Sequence, residues 1–115
     1  MTALTIQHNK QGVVEVVNLN GILNADTSSQ LEELLEKLVD TECPKILLNV
    51  EQLTYISSAG IGCFIGVIKR IRAKGGDLCF SRADAKVKRV FRLLDMEDFF
   101  KFFNTFEEGL KNFEN

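Results

Sequence analysis

The chain has 115 residues, 45% of them hydrophobic, enough apolar material for one core and so for one domain, taken to span 1–115. With 14 basic and 16 acidic side chains the net charge is -2, the wrong sign for a dedicated nucleic-acid binder. The opening MTALTIQHNKQG lacks the basic and apolar segments of a signal peptide, and no apolar run approaches the ~20 residues of a membrane helix, so a cytoplasmic protein with no membrane partner is expected.

Residues 4–8 and parts of 13–19 alternate apolar and polar around Lys10, Gln11 and Gly12, which predicts two antiparallel strands joined by a short turn. In NGILNADTSSQLEELLEKLVD, Thr27 and Gln30 form a capping box ahead of Leu31, Leu34, Leu35 and Leu38, the stripe of a helix that covers a sheet. After Pro44, residues 45–50 are nearly all apolar, as in a strand buried on both faces, and this should be the central strand.

The stretch LTYISSAGIGCFIGVIKRIRAKGG organises the rest. Tyr55 and Ile56 end a short strand, Ser57 and Ser58 are N-cap residue types, and Ile61, Phe64, Ile65, Ile68 and Ile71 mark one face of the helix that follows. Gly75 and Gly76 suit its C-terminal turn, and residues 77–81 make the next strand. Strand, helix and strand of this length imply a right-handed crossover and parallel pairing.

Asp84 can cap a helix with Val87, Val90, Phe91 and Leu94 on one face. Its Lys86, Lys88, Arg89 and Arg92 are either a solvated face or a surface for anionic lipid or an acidic partner. Residues 99–103 read as a last strand built from core aromatics, and Thr105 with Glu108 is a second capping box before Leu110 and Phe113. The interleaving predicts an α/β fold, a mixed sheet of four or five strands with helices mainly on one face.

Catalysis finds little footing. His8 is the only imidazole, no G-x-S-x-G elbow surrounds the serine pair, and a serine nucleophile needs a base within hydrogen-bond reach, so no enzyme activity is expected. Cys43, Cys63 and Cys79 are widely spaced with no second histidine, which points to reduced thiols and no metal site. The free N–H groups at the serine-capped helix start, beside Ala59, Gly60 and Gly62, attract anions. Without a G-x-x-x-x-G-K-S/T loop they predict at most weak nucleotide binding and no cofactor.

On the other side of that helix Ala59, Gly62 and Gly66 fall together, with Lys69 and Arg70 a turn further along. A helical glycine costs about 1 kcal/mol relative to alanine. Two explanations stay open: close packing on a neighbouring element, or a smooth exposed surface for another protein's backbone.

YISSAGIG, followed by an apolar helix ending in KGG and the strand DLCFS, resembles the core motif of the STAS domain, the family of bacterial anti-sigma factor antagonists, usually D-S-S/T-G-L-G. The likeness in element order runs over nearly the whole chain. It implies a module that binds an anti-sigma factor, itself a serine kinase of the histidine-kinase-like ATPase type. That kinase would phosphorylate Ser58 to break the complex, and a PP2C-type phosphatase would restore it. ATP is then the kinase's substrate.

Ser57 stands where the family has aspartate, which makes Ser57 the second choice for the modified residue. The family's acidic residue in the loop after the second strand corresponds to Asn24, with Asp26 nearby. The expected contact surface comprises Asn24, Asp26, Ser57, Ala59, Gly60, Gly62, Gly66, Lys69 and Arg70. The rival reading is a STAS-like adaptor in a transport or stress-signalling assembly, never phosphorylated.

Overall fold

The computed structural model describes residues 3–114. The elements run β1 (Leu4–Gln11), β2 (Val14–Leu23), α1 (Ser28–Val39), β3 (Lys45–Ile56), α2 (Ser58–Ala73), β4 (Asp77–Ser81), α3 (Ala85–Leu93), β5 (Lys101–Phe103) and α4 (Phe106–Asn112). The strands form one sheet in the order β1-β2-β3-β4-β5, with β1 antiparallel to β2 and the other pairs parallel. This is the expected mixed α/β sheet, with β3 at its centre.

Two boundaries differ from expectation. The β1–β2 turn sits at Gly12 and Val13 rather than at Lys10–Gly12, because Gly12 supplies the left-handed backbone, φ 61°, that a two-residue hairpin needs. The separate runs at 45–50 and 53–56 are one strand: Leu53 and Ile56 keep reaching the core while Glu51, Gln52 and Thr54 face outward.

Helices α1, α2 and α3 cover one face, where Leu31, Leu35, Ile61, Phe64, Ile68, Phe80 and Phe91 share one core. Of the aromatic run only Phe100 and Phe102 join this core, Phe103 packing on the opposite face and Phe99 standing exposed. Phe80 meets Phe64 edge-on at 4.9 Å and stacks on Phe102 at 5.1 Å. Helix α4 alone closes the other face, with Phe113 just past its end, over Val14, Val16, Leu47 and Cys79. It comes this close because Gly109 has no side chain; a Cβ there would lie 2.7 Å from Leu47.

The helix starts divide. Thr105 and Glu108 make both halves of the expected capping box, and Asp84 accepts from the Val87 N–H at 2.9 Å. The expected Thr27–Gln30 box is absent: Thr27 has helical backbone angles, and its hydroxyl donates to the Ile22 carbonyl and accepts from the Asn24 N–H. On α2, Ile65 is 38% exposed rather than inward, and Cys63 and Val67 take the core positions beside Phe64 and Ile68. The last strand begins at Lys101, with Phe99 outside it beneath the Arg72 guanidinium.

Candidate functional site

The mouth of α2 is built from β3 and the end of β2. Register shifts after Asn18 and Gly21 swing the end of β2 so that the Leu23 carbonyl accepts the Ser57 N–H at 3.0 Å. Ser57 is extended, φ -103° and ψ 171°, and its hydroxyl oxygen accepts from the Gly60 N–H at 3.2 Å. It is therefore the N-cap, half-buried and engaged by the helix it starts. Ser58 is the first helical residue, exposed, and its hydroxyl takes no part in the cap.

The predicted surface residues separate by direction. Ala59, Gly62, Gly66 and Lys69 are exposed, and a Cβ added at Gly62 or Gly66 would meet nothing within 4 Å. Close packing on a neighbouring element therefore does not account for these two glycines. Gly60 does not belong with them: it is buried, and a Cβ there would lie 2.8 Å from the Leu23 side chain and 2.9 Å from its carbonyl oxygen. The close approach of β2 requires that glycine, so it cannot line an outer surface.

Arg70 is exposed but occupied, donating to both Glu36 carboxylate oxygens at 2.8 and 2.6 Å and to the Gly66 carbonyl at 3.1 Å. This fork holds α2 to α1; its hydrogen bonds lower the Glu36 pKa and raise that of Arg70. Asn24 is half-buried, and its side-chain oxygen accepts from the Asp26 and Thr27 N–H groups at 2.9 and 3.2 Å. That turn uses up the amide oxygen. Asp26 stands exposed on the same loop.

The remaining candidates lie apart. His8 pairs with Glu15 at 2.5 Å across the β1–β2 hairpin, which is no arrangement for activating a serine. Burial pushes the Cys63 thiol up to about 11, with the Glu32 charge adding to it, and the Cys79 thiol up to about 12, with Asp77 adding. Among the described residues no cluster of three or more metal-ligating side chains forms, and no helix is long and apolar enough to cross a membrane.

Sequence reasoning passed over Tyr55. Its residue type marks it only as a β-former, and it stands 54% exposed at the end of β3, two residues before the cap. Its alternation with buried Ile56 was the available signal.

A mixed sheet with this helix order and a serine-capped α2 defines the class, and the family model for the STAS domain matches residues 5–109. The chain belongs to the STAS domain family. The anti-sigma F factor antagonist of Paenibacillus polymyxa is 30% identical over 99 residues, covering 85% of this chain and 80% of that protein. Among solved structures, an anti-sigma factor antagonist from Mycobacterium paratuberculosis superposes with TM-score 0.87 at 16% identity, covering 97% of this chain and 95% of that one. The Bacillus cell fate determinant SpoIIAA in its phosphorylated form gives 0.72 at 19% identity, covering 94% and 98%.

Proposed function

We propose that this chain is an anti-sigma factor antagonist: unphosphorylated, it binds an anti-sigma factor that is also a serine kinase, and phosphorylation of Ser58 releases it. The observation that carries the reading is the division of labour between the two serines. Ser57 caps α2, while Ser58 presents an exposed hydroxyl at the helix's positive end, beside a surface left bare by Ala59, Gly62 and Gly66. The name of the Paenibacillus relative and the phosphorylated state of the SpoIIAA structure support it.

In the transfer the Ser58 oxygen bonds to the γ-phosphorus of the kinase's ATP, the bond to ADP breaks, and the serine proton passes to a base of the kinase. The product carries about -1.5 to -2 charge at pH 7. At the first position of α2 the helix dipole stabilises that charge by about 0.3–1 kcal/mol, so the fold persists. At the interface the same charge must lose its water or face like charge, which costs several kcal/mol, a factor of roughly hundreds in affinity. A PP2C-type phosphatase resets the switch by hydrolysis.

The test is to incubate the chain with its cognate kinase and ATP, map the phosphate by mass spectrometry, and titrate variants. Label on Ser58 is expected, with Ser58→Asp folded but unable to bind and Ser58→Ala bound permanently. Absence of label, or full binding by a folded Ser58→Asp, refutes the switch; label on Ser57 moves it by one residue.

A further inference from the structure

A cleft of about 200 Å³ opens between the end of β3 and α3. Ile56 and Val87, 3% and 1% exposed, form its floor, half-buried Val90 and exposed Tyr55 its walls, and exposed Lys86 and Arg89 its rim. Of the other cations nearby, Arg82 is neutralised by Glu51 and Arg92 by Glu97, while half-buried Lys88, the fifth of the patch, pairs with no carboxylate among the described residues. Lys86 and Arg89 pair with no carboxylate among the described residues. In a chain of net charge -2 this is a local reversal of sign around an apolar hollow.

We infer that the cleft is a second docking point for the partner protein, receiving a segment in which an apolar side chain is flanked by carboxylates. The inference rests on the reading of the chain as a binding module. Three peptide units separate Tyr55 from Ser58, so their Cα atoms lie at most about 11 Å apart. One side of an ordinary interface covers about 800 Å², enough to span both. Tyrosine and arginine, the exposed wall and half of the rim, are the residue types that concentrate binding energy.

The concave shape favours a protein over a lipid surface. A membrane gains about 1 kcal/mol per basic residue near it, and two of the five cations here are held by their own carboxylates. The hollow instead matches a single side chain, and its rim matches the carboxylates beside it.

The test has three arms on the full unphosphorylated chain. Nitrogen-15 spectra with the capped hexapeptide Asp-Glu-Leu-Leu-Glu-Asp should shift the amides of Tyr55, Val87 and Val90. A version with serine in place of leucine should not, nor should either peptide act on the double variant Lys86→Glu/Arg89→Glu. Shifts that are absent or centred elsewhere overturn the cleft.

Against the cognate kinase the double variant should bind about tenfold or more weakly, since reversed rim charges meet like charge. Its melting temperature serves as the folding control. Wild-type affinity in that variant, with Ser58→Asp still unable to bind, overturns the cleft and leaves the switch standing. Weakened affinity in it, with Ser58→Asp binding fully, supports the cleft and removes the switch. Sedimentation of the wild-type chain, but not the variant, with phosphatidylserine vesicles, at unchanged kinase affinity, assigns the patch to lipid and refutes the proposal.

Discussion

Gly60 and Gly62 sit two residues apart on α2 and answer to different demands. Gly60 lies where Leu23 presses against the helix, so the fold itself dictates the missing side chain. Gly62, with Gly66 a turn later, looks onto open space, and nothing inside the molecule returns the helix propensity the two forgo. The inner side of the helix start is thus explained by packing and the outer side is not. The contact surface proposed for the partner would supply a reason for the outer side.

The comparison can be broken most sharply at its inner end. Gly60→Ala places a methyl within 3 Å of Leu23 and should cost about 1–3 kcal/mol in denaturant unfolding. Gly62→Ala and Gly66→Ala should do the opposite, each adding about 1 kcal/mol and raising the melting temperature by roughly 4 °C, while weakening partner binding. Destabilisation by either outer substitution would remove the contrast.

The two serines sharpen it further. Ser57→Ala loses the bond to Gly60 and should cost about 1 kcal/mol, whereas Ser58→Ala should stay within about 0.5 kcal/mol of the parent. Equal losses would mean that the cap is shared. The smallest effect is expected at Cys63, next to Gly62 but facing the core. Iodoacetamide at about pH 8 should label Cys43 and spare Cys63 and Cys79 until the chain unfolds. The folded pKa values of about 11 and 12 lie above the ordinary 9.0, so the stability linked to these buried thiols is whole below about pH 9 and lost as pH rises through them.

The antiparallel first pair, the central place of β3, its parallel pairing with β4 and the cap at the serine pair could be read from alternation, apolar runs, crossover handedness and cap chemistry. The places of β2 beside β3 and of β5 at the edge could not. What misled were residues whose polar groups had a nearer partner than the pattern supplies. Thr27 with Gln30 has the same spacing as Thr105 with Glu108, but Thr27 sits in a turn where Asn24 and Ile22 claim its hydroxyl. Arg70 is similar: its place on the helix was legible, its fork to Glu36 some 34 residues away was not. Gly60 was grouped with the outer glycines because spacing along a helix does not reveal how close β2 comes.

The seat of α4 on Leu47 has a dynamic consequence. A helix of seven residues is too short to persist unaided, so its adhesion depends on the small cluster under Gly109. Detachment of α4 should then be an inexpensive opening motion, baring the back of the sheet while α1, α2 and α3 stay seated on the front. Amide exchange would show it as early loss of protection over 106–112 with α2 still closed, so that fluctuation at the rear leaves the proposed docking side undisturbed.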